Sequence, residues 1–198
     1  MAPSWSLPAA GSWPEPKPGS LSERELVERA RRDPRAFDEL YRATYPSVAG
    51  HVFRRTGDAA ATEEIVSDVY LLALTRLSTF RWKGISFRFW LLRIATRAAG
   101  RWVRTRRRRE GLVEPSADPA AAAAPAAPAA AEDETERALR ALQTLPAPYQ
   151  DALSLHYLEG LAVRDVAAVL GCREGTVKSR LARGREELRR RLAEDDPR

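Results

Sequence analysis

The chain holds one cysteine, one methionine and two histidines in 198 residues. Cys172 alone cannot form an internal disulfide or a Cys-rich zinc site, and His51 and His156 sit in helical patterns without metal-ligand spacing. Neither a metal nor any other cofactor is expected. No apolar run approaches the ~18–20 residues that a membrane-spanning helix needs, and the first residues lack the apolar core of a signal peptide. A cytoplasmic location without membrane insertion is therefore expected. Between Asp68 and Glu110 there is no acidic residue at all, while Arg and Lys recur throughout. With 33 Lys+Arg against 27 Asp+Glu the net charge is +6, which favours a polyanionic partner such as nucleic acid. The basic surface carries no paired carboxylates and no nucleophile–base set, so enzymatic chemistry is not expected.

What is present is helical. Residues 1–20 are rich in Pro, Ser, Gly and Ala, with Trp5 and Trp13 isolated among them, and read as a disordered tail. Residues 21–110 form a first helical module. Its three placed helices run from Ala36 to about Arg55, from Asp58 after Gly57, and from Phe87 to about Arg104. Their stripes are Phe37, Leu40, Tyr41, Val48 and Val52, then Ile65, Val69, Leu72 and Ala73, then Phe87, Leu91, Ile94, Ala98 and Trp102. Residues 111–133 are an Ala/Pro linker, in which Pro119, Pro125 and Pro128 interrupt an alanine run and favour a semi-rigid spacer. Residues 134–193 form a second helical module. The fold class is all-α: two small helical domains joined by a flexible linker, the second containing a helix-turn-helix.

That motif spans Val163 to Leu188. Val166, Ala167 and Leu170 share one face of a short helix, and Gly171 supplies the left-handed position that ends it. Val177, Leu181 and Leu188 then line the buried stripe of a helix from which Lys178, Ser179, Arg183 and Arg185 project. Such a second helix enters the major groove of duplex DNA. Cys172 in the turn reads as a small turn or cap residue.

Aromatic rings interleave with the cations of the first module: Phe80, Trp82, Phe87, Phe89, Trp90 and Trp102. Rings that stack on bases beside cations that follow the backbone suit single-stranded DNA. Phe87 and Trp102 sit on the helical stripe and read as core, whereas Phe80 and Trp82, near Gly84, are the candidates for base contact. The run Arg104–Arg109 binds any phosphate backbone without specifying one. Glu63, Glu64 and Asp68 would repel phosphate, so their helix face suits a protein partner or plain solvent.

The segment from AFDELYRATYPS to RTRRRR resembles region 2 of an extracytoplasmic-function (ECF) sigma factor, and LPAPYQDALSLHYLEGLAVRDVAAVLGCREGTVKSRLARGREELRRRL resembles region 4 of the same sigma-70 family. The resemblance implies binding to core RNA polymerase and promoter DNA, with region 2 reading and melting the −10 element and region 4 reading the −35 element. It also makes an anti-sigma protein a candidate partner. By motif, Glu64, Asp68 and Arg76 are implied to contact polymerase. Phe80, Trp82, Lys83, Arg88, Trp90, Arg93, Arg97 and Arg101 fall where −10 contacts are expected. Lys178, Ser179 and Arg183 fall on the −35 bases, with Arg173, Thr176, Arg180 and Arg185 nearer phosphates. The chain departs from the family at Ala162, where a Ser or Thr cap is usual and its loss costs ~1 kcal/mol. It departs also at Arg173 in place of Pro, Arg97 in place of Asn and Gly100 in place of Asp. About 20 spacer residues reach ~60 Å at ~3.1 Å each, enough for two elements ~50–65 Å apart. A stand-alone repressor would instead need a dimer interface, and no heptad stripe is present.

Overall fold

The computed structural model describes residues 22–82, 86–111 and 134–194, and among these all regular structure is helical. The tail and linker expectations fall outside the described residues. Four helices build the first module: α1 (Glu23–Arg32), α2 (Phe37–Thr56), α3 (Ala59–Arg76) and α4 (Phe87–Arg109). Helix α1, short and mostly charged, opens on a capping box. The Ser22 hydroxyl accepts from the Glu25 N–H, and the Glu25 carboxylate accepts from the Ser22 N–H. Gly57, at φ 64°, ends α2, and the Asp58 carboxylate caps α3 by accepting from the Ala61 N–H. Ser86 caps α4, which continues to Arg109, past the expected end near Arg104. Arginines in its last turn favour the negative end of the helix dipole.

Four more helices build the second module: α5 (Glu134–Thr144), α6 (Ala147–Leu153), α7 (Val163–Leu170) and α8 (Glu174–Glu194), with a single π-type turn at Ser154–Leu158. Gly171 adopts φ 68°, and the N–H groups of Gly171 and Cys172 both donate to the Ala167 carbonyl, at 2.8 and 3.1 Å. Ala162 offers α7 no side-chain cap. Gly184 is where α8 crosses α6: a Cβ there would stand 3.0 Å from Leu153 Cδ1 and 3.1 Å from Tyr149 Cβ.

Each module has its own core. Leu40, Val48, Val52, Val69, Phe87 and Leu91 are fully enclosed in the first; Leu145, Leu155, Leu161, Val166 and Val177 in the second. Leu92 of α4 is an exception, because it is buried in the core of the second module. The two modules are therefore packed together through α4 and α7 rather than held apart.

Candidate nucleic-acid interface

The face of α8 follows from its buried stripe. Val177, Leu181 and Gly184 turn inward, so at 100° per residue Ser179 and Arg183 lie opposite. Lys178 and Arg185 occupy one shoulder, Thr176 and Arg180 the other. Arg173, Thr176, Lys178, Ser179, Arg183 and Arg185 are exposed, while Arg180 is half-buried with Nη1 3.8 Å from Cys172 Sγ. Arg185 Nη1 donates to the Tyr157 hydroxyl at 2.8 Å. Farther along, Arg189, Arg190 and Arg191 pair with Glu186, Glu187 and Glu194 one turn away. Lys178 and Arg183 have no carboxylate partner among the described residues. The unneutralised charge is thus concentrated in the first three turns of α8, the part a major groove can admit.

In the first module Arg97 and Arg101 are exposed along α4, and Arg93 and Trp90 are half-buried. Arg106 is neutralised by Glu110 at 2.7 Å and lies over the Trp102 ring at 5.3 Å from its centroid. Phe80 is not on the surface. It is 6% exposed, with ring centroids 5.2 Å from Trp82, 5.5 Å from Phe87 and 5.3 Å from Trp90. Three rings packed around it remove Phe80 from the base-contact set and leave Trp82, half-buried beside it. Lys83 lies outside the described residues. Phe80→Ala is expected to lower the unfolding free energy of the first module by about 3–5 kcal/mol, the usual cost of truncating a buried Phe, as read by urea denaturation.

On α3, Glu64 and Asp68 are exposed one turn apart, and neither has a cationic partner among the described residues. The same line continues to Leu71, 62% exposed, with Leu74 beside it at 44%. Arg76 is exposed at the helix end. Sequence reading picked out the acids but not the two leucines, although their place on the acidic face was legible from helical spacing. An acid-and-leucine strip of this kind suits a basic, partly apolar helical surface.

The seam between modules is polar and buried. Glu159, 5% exposed in its side chain, takes hydrogen bonds from Arg54, from Ser47 and, at 2.8 Å, from Arg88. Gln150 Nε2 donates to the Arg54 carbonyl at 2.7 Å and Gln150 Oε1 accepts from Arg55 at 2.7 Å. Arg55 also pairs with Asp151 at 3.1 Å. Burial pushes the Glu159 carboxyl up, but the Arg54 guanidinium and the hydrogen bonds from Ser47 and Arg88 outweigh it and hold the group below its usual value. Burial raises Asp151, against the pull of Arg55 and Arg180. Beside the seam a cleft of about 430 Å³ is lined by Arg55, Arg97, Arg101, Arg104 and Arg180, with Asp151 as its acid.

Next to the seam His51 is enclosed. The Thr96 hydroxyl donates to the Leu92 carbonyl at 2.7 Å, so at 2.9 Å it accepts from His51 Nε2–H, which fixes the neutral tautomer. Burial lowers its pKa to about 4; Glu159 opposes this, and Arg54 and Arg55 add to it. The folded value lies below the unfolded one, so on acidification the unfolded chain takes the proton first. Stability should fall as pH drops from about 6.5 to about 4, by about 3 kcal/mol in all. Denaturant titrations across that range should show the slope, and His51→Gln should flatten it.

Among the described residues no group of His, Cys, Asp and Glu could hold a metal ion, and no helix is long and apolar enough to cross a membrane. Residues 40–109 match the family model for sigma-70 region 2, and residues 135–188 match that for sigma-70, region 4. The chain is 33% identical to the RNA polymerase sigma-H factor of Pseudomonas aeruginosa, covering 86% of this chain and 93% of that one. It is 32% identical to the ECF RNA polymerase sigma factor BldN of Streptomyces coelicolor, over 86% of this chain and 66% of the relative. In fold it is similar to CnrH in complex with the cytosolic domain of CnrY, with a TM-score of 0.67, 23% identity, and coverage of 88% and 99%. It is similar also to the sigma factor RpoE of Bartonella quintana in complex with the anti-sigma factor NepR, with a TM-score of 0.63, 24% identity, and coverage of 81% and 98%.

Proposed function

The chain belongs to the ECF group of sigma-70 RNA polymerase sigma factors, which are promoter-directing transcription-initiation factors, and we propose how its surfaces divide that work. The α3 strip of Glu64, Asp68, Leu71 and Leu74 docks on core polymerase, with Arg76 at its edge. Trp82, Trp90, Arg93, Arg97 and Arg101 receive the melted −10 strand, bases on rings and phosphates on guanidinium groups. Arg183, Ser179 and Lys178 read the −35 bases from the major groove, while Arg173, Thr176, Arg180 and Arg185 set the register on phosphates.

The distribution of unneutralised charge carries this reading. Among the described residues, Glu64 and Asp68 of α3 have no cationic partner, and Arg97 and Arg101 of α4 and Lys178 and Arg183 of α8 have no carboxylate partner. DNA and a basic protein surface would each be repelled by the other's site. The chain works by binding, in the cytoplasm, and lowers the cost of promoter melting by trapping unstacked bases. An anti-sigma protein is a further candidate partner.

The division is tested by permanganate footprinting of a cognate promoter. The chain with core polymerase should expose reactive thymines at the −10 element, and neither component alone should do so. Reactivity with the chain alone would overturn the division, since melting would then not require docking through α3.

A further inference from the structure

Two promoter elements ~50–65 Å apart cannot be read by modules packed face to face, so the seam has to open on the way to the promoter. Its construction points to how it is held shut. We infer that Glu159 is an internal stand-in for a DNA phosphate, which keeps the free chain closed by occupying Arg88 and Arg54; this rests on the promoter-reading role given to the first module.

The geometry matches phosphate recognition. Glu159 Oε2 accepts from Arg88 Nη2 at 2.8 Å and from the Ser47 hydroxyl, and Oε1 accepts from Arg54. The same Arg88 Nη2 reaches the Glu159 carbonyl at 2.9 Å, and Arg88 Nε donates to Ser47 Oγ at 3.0 Å. Two guanidinium groups and a hydroxyl around one anion are the donor set with which proteins hold a backbone phosphate. Arg88 lies on α4 among the −10 contact candidates, and those of its donors committed to Glu159 and Ser47 are not available to DNA. Closure and −10 binding therefore compete for one side chain.

Closure also covers the neighbouring surface. Phe89, Trp90 and Arg93 of α4, with Arg76 and Phe80, face Ala168 and Val169 of α7 across a cleft of about 360 Å³. Leu92 is enclosed in the second core, and Phe89 packs against it. Once the seam opens, Arg54, Arg88 and Glu159 exchange one another for water, and the two guanidinium groups become free to take phosphate. Removing the Glu159 charge while the seam stays closed would leave the buried Arg54 and Arg88 guanidinium groups facing a neutral amide in place of their shared seam carboxylate, which disfavours the closed state.

The test uses the full chain with Cys172→Ser and dye-labelled cysteines at the exposed positions Ala60 and Ala193, read by single-molecule energy transfer. The free chain should show high transfer, and a single-stranded −10 oligonucleotide should lower it. Glu159→Gln, checked for folding by circular dichroism, should shift the free chain to low transfer. The same variant should bind the oligonucleotide about tenfold more tightly without polymerase, a change of about 1.4 kcal/mol. Unchanged transfer and unchanged affinity in folded Glu159→Gln would overturn the latch. If that variant does not fold, the unmutated chain decides. Low transfer before DNA is added, or high transfer persisting at saturation, would overturn the inference. Promoter-dependent transcription by the unmutated chain shows separately whether the underlying role stands.

Discussion

Arg183→Ala is expected to lower transcription from a −35-dependent promoter about ten- to hundredfold, while affinity for core polymerase stays within about twofold. Arg183 lies opposite the buried stripe of α8, is exposed, and has no carboxylate partner among the described residues. A guanidinium in that position can bond a guanine edge through two donors, and each such pair supplies about 1–3 kcal/mol of discrimination between bases. Lys178→Ala on the adjacent shoulder should cost less, because an ammonium is a single point charge without a planar fork. Salt separates the two roles. Losing a phosphate contact reduces the salt slope of binding by about one, whereas losing a base contact mainly relaxes sequence preference. Competition assays with point-substituted −35 duplexes check this, and equal losses on every duplex would place Arg183 on the backbone instead.

The second large effect concerns α3. Replacing both Glu64 and Asp68 by Arg should weaken core polymerase binding at least a hundredfold at 0.15 M salt. Like charges facing across an interface cost several kcal/mol, and here two attractive positions become repulsive together. Binding of an isolated −35 duplex should be retained or strengthened, because each exchange adds two units to an already positive chain. Leu71→Ala should weaken polymerase binding without altering its salt dependence, since Leu71 is exposed and uncharged. Analytical ultracentrifugation with core polymerase reads both variants. Retained binding in the double reversal would move the docking surface off α3.

The parts of the fold that were legible in the sequence are those specified locally. The helix-turn-helix was readable because Val166, Ala167, Gly171, Val177 and Leu181 fall within one short stretch, and the φ of 68° at Gly171 is what that stretch requires. Helix α1 was equally local, since Ser22 and Glu25 form its capping box, but its pattern is short and mostly charged. The burial of Phe80 differs from the expectation for another reason. A ring next to a glycine-containing loop reads as exposed, and the packing of Trp82, Phe87 and Trp90 around it comes from elements whose approach periodicity does not encode.

The seam was not legible at all. Glu159 meets Arg54 from 105 residues away and Arg88 from 71. No spacing rule links residues so distant, and each is an ordinary charged residue within its own helix or turn. The nearest hint is an apolar Leu92 in an arginine-rich helix, on a face of α4 that is not that of Phe87 and Leu91.

Run-off transcription with purified core polymerase, with and without the chain, tests the sigma-factor role most directly. A template bearing a cognate promoter should give a transcript of defined length only when the chain is present. Scrambling the −10 or the −35 element should abolish that transcript. Retarded promoter DNA without any transcript, or a transcript that does not depend on either element, would contradict the role.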